Sequence, residues 1–145
     1  MRLKFTVPEM EAFLADVFPQ VDGMFGIDRM DEELLVMRMI VSESHLRPGG
    51  TVSGPSMFAL ADVAAYVATL ARIGPQALTV TTHCSIDFMR KPEAATDLLA
   101  EARLLKLGRT LSVTDVLLYS EGSEKAVAHA SLTYSIPPAP MMPTP

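Results

Sequence analysis

The sequence predicts an α+β fold in which one antiparallel β-sheet wraps around a single long central helix, with a short helix ahead of both. Three observations carry this reading. Met57 to Ala71 is apolar on nearly every side and is bounded by strong punctuation, the residues from Leu78 onward switch to a period of two, and turn signals then separate further strand-like runs. A helix apolar all round needs cover on most sides, and strands that follow one another tend to pair, so this order of elements specifies a sheet closed around a helix. With 145 residues, 49% of them hydrophobic and 20% charged, the chain is expected to form one globular domain over residues 1–136.

Thr6 and Glu9 stand at capping-box spacing, and Met10, Phe13, Leu14, Val17 and Phe18 recur on one helical face, which predicts a short amphipathic helix ending near Pro19. Residues 21–26 read as a turn region. Glu33 to Ser42 (ELLVMRMIVS) is apolar on both alternations and free of Gly and Pro, so one strand or two precede the central helix. His45 to Pro55 (HLRPGGTVSGP) is too rich in glycine and proline for regular structure and reads as a loop. The central helix is expected from Pro55, whose missing N–H costs nothing in a first turn, to the Gly74-Pro75 pair.

Beyond it, Leu78, Val80, Thr82, Cys84, Ile86 and Phe88 alternate with Thr79, Thr81, His83, Ser85, Asp87 and Met89, giving a strand with an apolar and a polar face. Strands at 97–107, 109–120 and 126–136 follow, punctuated by Gly108 and by Glu121-Gly122-Ser123-Glu124, and read as an antiparallel meander. The last segment, PPAPMMPTP at 137–145, reads as a proline-rich disordered tail.

Composition narrows the function. A formal charge of −5 leaves no basic surface to neutralise a phosphate backbone, so nucleic acid is not an expected partner. The single Cys84 cannot form a disulfide framework or a thiolate zinc site, and His45, His83 and His129 are too scattered for a metal, so neither metal nor redox cofactor is expected. The apolar run from Met57 to Ala71 carries Asp62 in its middle and is shorter than the roughly 20 residues of a membrane span. No membrane association is expected, and the absence of a leader pattern points to the cytoplasm. No G-x-S-x-G elbow supports a serine hydrolase.

Three features carry possible chemistry. Asp62 is the only charged residue between Arg47 and Arg72, on a helix that must be largely buried, where a carboxylate is costly unless paired or hydrogen-bonded. It is either a structural acid bonded to a backbone N–H or an Arg, or a general base or nucleophile. The turn Thr51-Val52-Ser53-Gly54-Pro55-Ser56 places a glycine at the helix entrance, where free N–H groups and the helix dipole converge. That arrangement serves either as plain capping by Ser53 or Ser56 or as a carbonyl-polarising site. The strand face bearing Thr79, Thr81, His83, Ser85 and Asp87 is either a solvated sheet face or a source of hydroxyls that orient a water or the Asp62 carboxylate.

RPGGTVSGPSMFALAD, LTVTTHCSIDFMRKP and LLKLGRTLSVTDVLLY, within a stretch from about Gly26 to Ile136, resemble the hotdog-fold acyl-CoA thioesterases. The closest resemblance is to the branch named after the phenylacetate-degradation thioesterase PaaI. In that branch a loop with an Asn and a His-Gly-Gly turn opens the central helix, and an acid follows eight residues after the first glycine. Gly54 and Asp62 have that spacing, and Thr81 matches the family's Ser or Thr on the next strand. The chain departs from the pattern at Ser53, where the family has His, at Pro55, which replaces the second glycine, and at Arg47, where the Asn would fall.

The resemblance implies hydrolysis of an acyl-CoA thioester, coenzyme A being part of the substrate and no separate cofactor being needed. Gly54 would polarise the carbonyl through its N–H, Asp62 would act as base or nucleophile, and Thr81 would orient it. Arg47, Ser53, Met57, Phe58, Ser85, Arg90, Lys91 and Arg109 are the expected substrate-binding residues, with Leu60 beside Met57 and Phe58 in an acyl pocket. Two alternatives keep the fold: a noncatalytic acyl-CoA-binding protein, and a 3-hydroxyacyl thioester dehydratase using His45. Geometry adds that eight residues of helix span roughly 12 Å, too far for Gly54 and Asp62 to serve one carbonyl. The site is therefore expected at the interface of a homodimer, alone or within a homotetramer.

Overall fold

The computed structural model describes residues 2–138. Helix α1 (Val7–Val17) starts with the expected capping box: the Glu9 N–H donates to Thr6 Oγ1 at 3.2 Å and the Thr6 N–H to Glu9 Oε1 at 2.8 Å. Phe18 is its C-cap, and Pro19 opens a short 3₁₀ turn. Strands β1 (Phe25–Met30) and β2 (Leu35–Met39) precede helix α2 (Gly54–Ile73), and β3 (Val80–Phe88), β4 (Leu98–Leu107), β5 (Leu111–Ser120) and β6 (Ala126–Ser135) follow it. The strands form one antiparallel sheet in the order β1-β2-β4-β5-β6-β3. Of the segment expected to be a tail, residues 139–145 lie outside the described residues.

Three features differ from the sequence expectation. Strand β1 occupies part of the expected turn region; Gly26 and an extra residue at Asp28, where the register with β2 shifts, break the alternation that would have revealed it. Strands β4, β5 and β6 form the expected meander, but β3 pairs with β6 at the far edge rather than with β4, the strand that follows it. Residues 89–97 cross the intervening strands, about 14 Å at the usual spacing and within reach of nine residues. The crossing is tied down by the Glu93 N–H on Ser120 Oγ at 2.8 Å and by the Glu121 N–H on the Asp97 carbonyl at 2.9 Å. Finally, β3 is bulged at Thr82: Thr81 pairs with Tyr134, but His83 pairs with Thr133.

Helix α2 is long and apolar enough to cross a membrane by length and composition, and the fold buries most of it. Leu60, Val67 and Leu70 are fully buried, each contributing roughly 1.5–3 kcal/mol. Ala61, Ala64, Ala65, Ala68 and Ala71 let the sheet approach closely, and Met37, Met39, Leu98, Val116, Leu118 and Leu132 fill its inner face. Phe13, Leu14 and Phe18 of the α1 segment pack on the same core. The β3 edge is different in character. Leu78 (79% exposed), Val80 (54%), Phe88 (52%) and Met89 (51%) lie on or next to β3, whose outer edge has no partner strand among the described residues, the kind of edge that pairing normally covers.

Candidate active site

Asp62 sits in the middle of α2, partly buried, and accepts two hydroxyl hydrogen bonds on one oxygen. Thr81 donates to Oδ1 at 2.6 Å, and the Tyr134 hydroxyl lies 2.7 Å from the same Oδ1 and 2.8 Å from the Asp62 main-chain carbonyl. Among the described residues Oδ2 receives no hydrogen bond. Asp62 lines a groove of about 430 Å³ together with Phe18, Val63, Tyr66, Thr79, Val80, Thr81 and Tyr134. The β3–β6 register makes this clamp by setting Thr81 opposite Tyr134. The bulge at Thr82 then lets Thr81 face the helix although Cys84 and Ile86 also pack inward. Strict alternation grouped Thr81 with His83, Ser85 and Asp87, which are exposed.

Burial, reinforced by the charge on Asp62, pushes the Tyr134 phenol well above its ordinary pKa and keeps it a proton donor. The Cys84 thiol is raised by the same two causes, so it stays protonated beside the acid.

Eight residues earlier, the start of α2 offers one free donor. Ser53 is the N-cap: its Oγ accepts from the Ser56 N–H at 3.3 Å and donates to Ser56 Oγ at 3.0 Å, while the Met57 N–H donates to the Ser53 carbonyl at 3.0 Å. Pro55 has no N–H. Gly54 alone among the first-turn residues therefore keeps an N–H without a partner among the described residues, at the positive end of a 20-residue helix. The loop before it folds back tightly: the Arg47 N–H donates to the Thr51 carbonyl, the Gly50 N–H to the Arg47 carbonyl, and Gly49 and Gly50 take φ of 100° and 81°, which favours glycine. This fold-back places Arg47 beside Arg90 and Lys91 on a groove of about 330 Å³ that Gly54, Met57 and Phe88 also line. The Phe88 ring lies against Gly54, 3.4 Å from where a Cβ would stand.

Asp62, Thr81, Gly54, Arg47, Met57, Arg90 and Lys91 thus fall at two grooves of one chain. Other expected site residues do not join them. Ser53 is occupied as the helix cap, Ser85 is exposed and out of step with the inward-packing Cys84 and Ile86, and Phe58 is exposed on α2 outside both grooves. Leu60 is fully buried in the core and lines neither groove. Arg109, on the β4–β5 turn, lines a separate groove with Arg72 and Ile73 at the opposite end of α2. His45 is buried within its loop, and its Nδ1 accepts the Ser42 N–H at 3.0 Å, which leaves the ring proton on Nε2. Sequence reasoning missed Tyr134; its position in the β6 alternation signalled a core residue, and a buried tyrosine hydroxyl needs a polar partner.

Residues 49–127 match the Thioesterase superfamily. A candidate esterase of Pseudomonas aeruginosa is 32% identical over 116 residues, covering 79% of this chain and 84% of that protein. The crystal structure of a candidate thioesterase from Silicibacter superposes with a TM-score of 0.90 at 59% identity, covering 95% of this chain and 96% of that one. A variant of the phenylacetic acid degradation protein PaaI from Thermus thermophilus superposes with a TM-score of 0.70 at 28% identity, covering 82% of this chain and 99% of that one. The sheet closed around one helix and the matched majority of the chain agree: the protein belongs to the thioesterase superfamily, the hotdog-fold thioester hydrolases.

Proposed function

We propose that the protein hydrolyses an acyl-CoA thioester at a site completed by two copies of the chain, Gly54 from one subunit and Asp62 from the other. The observation that carries this is the separation of two unfinished halves. Gly54 offers a free N–H but its groove holds no acid, whereas Asp62 offers a free carboxylate oxygen but its groove holds no helix-end donor. The exposed apolar β3 edge runs between them, from Val80 beside Asp62 to Phe88 beside Gly54. Antiparallel pairing of two β3 edges sets one subunit's Gly54 end against the other's Asp62 end and gives two equivalent sites. The resulting dimer is the unit of function, alone or as half of a tetramer.

In this reading the Gly54 N–H and the α2 dipole hold the thioester carbonyl oxygen and stabilise the oxyanion as it forms. Oδ2 of the partner's Asp62, the oxygen left free by Thr81 and Tyr134, takes a proton from water as that water attacks the carbonyl carbon. Collapse of the tetrahedral intermediate breaks the C–S bond and returns the proton to the departing thiolate. The same oxygen serves if Asp62 instead attacks the carbonyl itself: the C–S bond breaks to expel the thiolate and leave an acyl-Asp62 anhydride, and water then cleaves that anhydride, releasing the acid and supplying the proton the thiolate takes up. Arg47, Arg90 and Lys91, gathered on the Gly54 groove, suit the phosphates of coenzyme A, and Arg47 holds a phosphate through its planar fork in place of the family's Asn. The site chemistry assigned here calls for no metal or redox cofactor.

His45 gives no support to dehydration, since its ring is buried and lines neither groove. The test is free-thiol release from short, medium, long and aryl acyl-CoAs by the wild type and Asp62→Asn side by side. The expected result is hydrolysis that collapses in Asp62→Asn. Equal turnover by both refutes the role of Asp62, and saturable binding without thiol release by either makes the protein a noncatalytic acyl-CoA binder.

A further inference from the structure

We infer that Tyr134 is a positioning residue of the hydrolytic site, which with Thr81 immobilises Oδ1 of Asp62 and so fixes Oδ2 as the oxygen that meets water or the thioester. The inference rests on the reading of Asp62 given above. Its geometric basis is a single hydroxyl that reaches both the side chain and the main chain of one residue: Tyr134 Oη lies 2.7 Å from Asp62 Oδ1 and 2.8 Å from the Asp62 carbonyl. A carboxylate held through both of these points cannot swing about its Cα–Cβ bond without losing the Oδ1 contact. Thr81 donates to the same Oδ1 at 2.6 Å from the strand paired with that of Tyr134. Two donors thus converge on one oxygen, and none among the described residues reaches the other.

A purely structural tyrosine would need only one acceptor, and the Asp62 main-chain carbonyl already supplies it. The additional approach to Oδ1 is what a role in orienting the acid requires. The ring itself is held firmly. Tyr134 is 3% exposed and packs on Tyr66 at 6.0 Å between ring centroids; Tyr66 donates to the Ala77 carbonyl at 2.8 Å and meets Phe18 edge-on. Tyr134 therefore transmits the rigidity of the core to a carboxylate that borders an open groove.

The test removes only the hydroxyl. In the full-length protein, Tyr134→Phe is expected to lower kcat for thiol release about 10- to 100-fold while KM stays within about twofold, because the loss falls on positioning rather than on substrate binding. In an Asp62→Asn background the same change is expected to cost nothing further, which a general packing defect would not mimic. A second readout does not depend on turnover. The carboxylate ¹³C resonance of Asp62, assigned by its loss in Asp62→Asn, should shift in Tyr134→Phe; a resonance that stays in place overturns the inference whatever the activity.

If the wild type hydrolyses, Asp62→Asn is dead and Tyr134→Phe matches the wild type in kcat, the positioning role is wrong while the thioesterase reading stands. If the wild type is inactive, the thioesterase reading fails; if Asp62→Asn turns over as fast as an active wild type, the role of Asp62 fails while thioester hydrolysis stands, and in either case the hydrolytic role of Tyr134 falls. Should Tyr134→Phe not fold, 3-fluorotyrosine placed at position 134 keeps the ring and the hydroxyl contact. It should still move the Asp62 resonance, and no movement refutes the clamp.

Discussion

Replacing Gly54 with proline deletes one N–H from the start of α2, and the Cβ it adds ahead of Pro55 is matched by the alanine variant. Gly54 is the first helical residue, where proline is well tolerated, and Ser53 before it has φ −75° and ψ 158°, the extended conformation that a residue preceding proline prefers. The added Cβ meets the Phe88 ring at 3.4 Å, an ordinary contact. No neighbour can take over the lost donor: Pro55 has none, the Ser56 N–H is bound to Ser53 Oγ, and the Met57 N–H is bound to the Ser53 carbonyl. On the proposed mechanism the substitution therefore removes the whole main-chain oxyanion donor of this helix end, worth about 10²- to 10³-fold in kcat or about 2.7–4 kcal/mol. Gly54→Ala adds the same Cβ and keeps the N–H. Thiol release at saturating acyl-CoA should fall only a few-fold in the alanine variant and by two or more orders of magnitude in the proline variant, with unchanged far-ultraviolet circular dichroism. Equal activities in the two variants would show that the Gly54 N–H plays no part in catalysis.

The core and the surface give two further expectations. Thr69 of α2 and Ser112 of β5, both fully buried, share a 2.8 Å hydroxyl hydrogen bond. Thr69→Val should cost about 1–3 kcal/mol in urea unfolding by orphaning Ser112 Oγ, and adding Ser112→Ala should recover much of it; additive losses would refute the pairing. At the surface, the Arg29 guanidinium and then the Glu33 and Leu34 N–H groups hold the Asp31 carboxyl at about 2, below its ordinary 3.8. Because the folded pKa is the lower one, this contribution is complete above the unfolded value and is lost as pH falls from about 4 towards 2. The gap in urea midpoint between wild type and Asp31→Asn should close over that window, and a gap independent of pH would contradict the assignment.

What the sequence made legible was local. The Thr6–Glu9 box, the loop at Gly49-Gly50 and the ends of α2 are set by residues a few positions apart, and the structure places them where the spacing indicated. Asp62 and Gly54 were visible for the same reason: a lone acid in an apolar helix and a glycine at its entrance are properties of one segment. The partner of β3 was not legible, because pairing β3 with β6 rather than β4 depends on contacts far apart in the chain. That choice is what brings Tyr134 to Asp62 across 72 positions, and the one-residue bulge at Thr82 turns Thr81 towards it. Arg109 is the converse case. In sequence it is a strand-end cation like Arg90, but the fold places the two at opposite ends of α2.

The claim most in need of a direct test is that each site draws Gly54 and Asp62 from different subunits. Asp62→Asn and Gly54→Pro, each inactive alone on this account, can be coexpressed with different tags and the mixed dimer isolated by two successive affinity steps. One site of that dimer then combines an intact Gly54 with an intact Asp62, while the other carries both lesions. The account predicts thiol release at about half the wild-type rate per dimer. A mixed dimer no more active than its parents would place both residues of each site in one chain and contradict the shared-site mechanism.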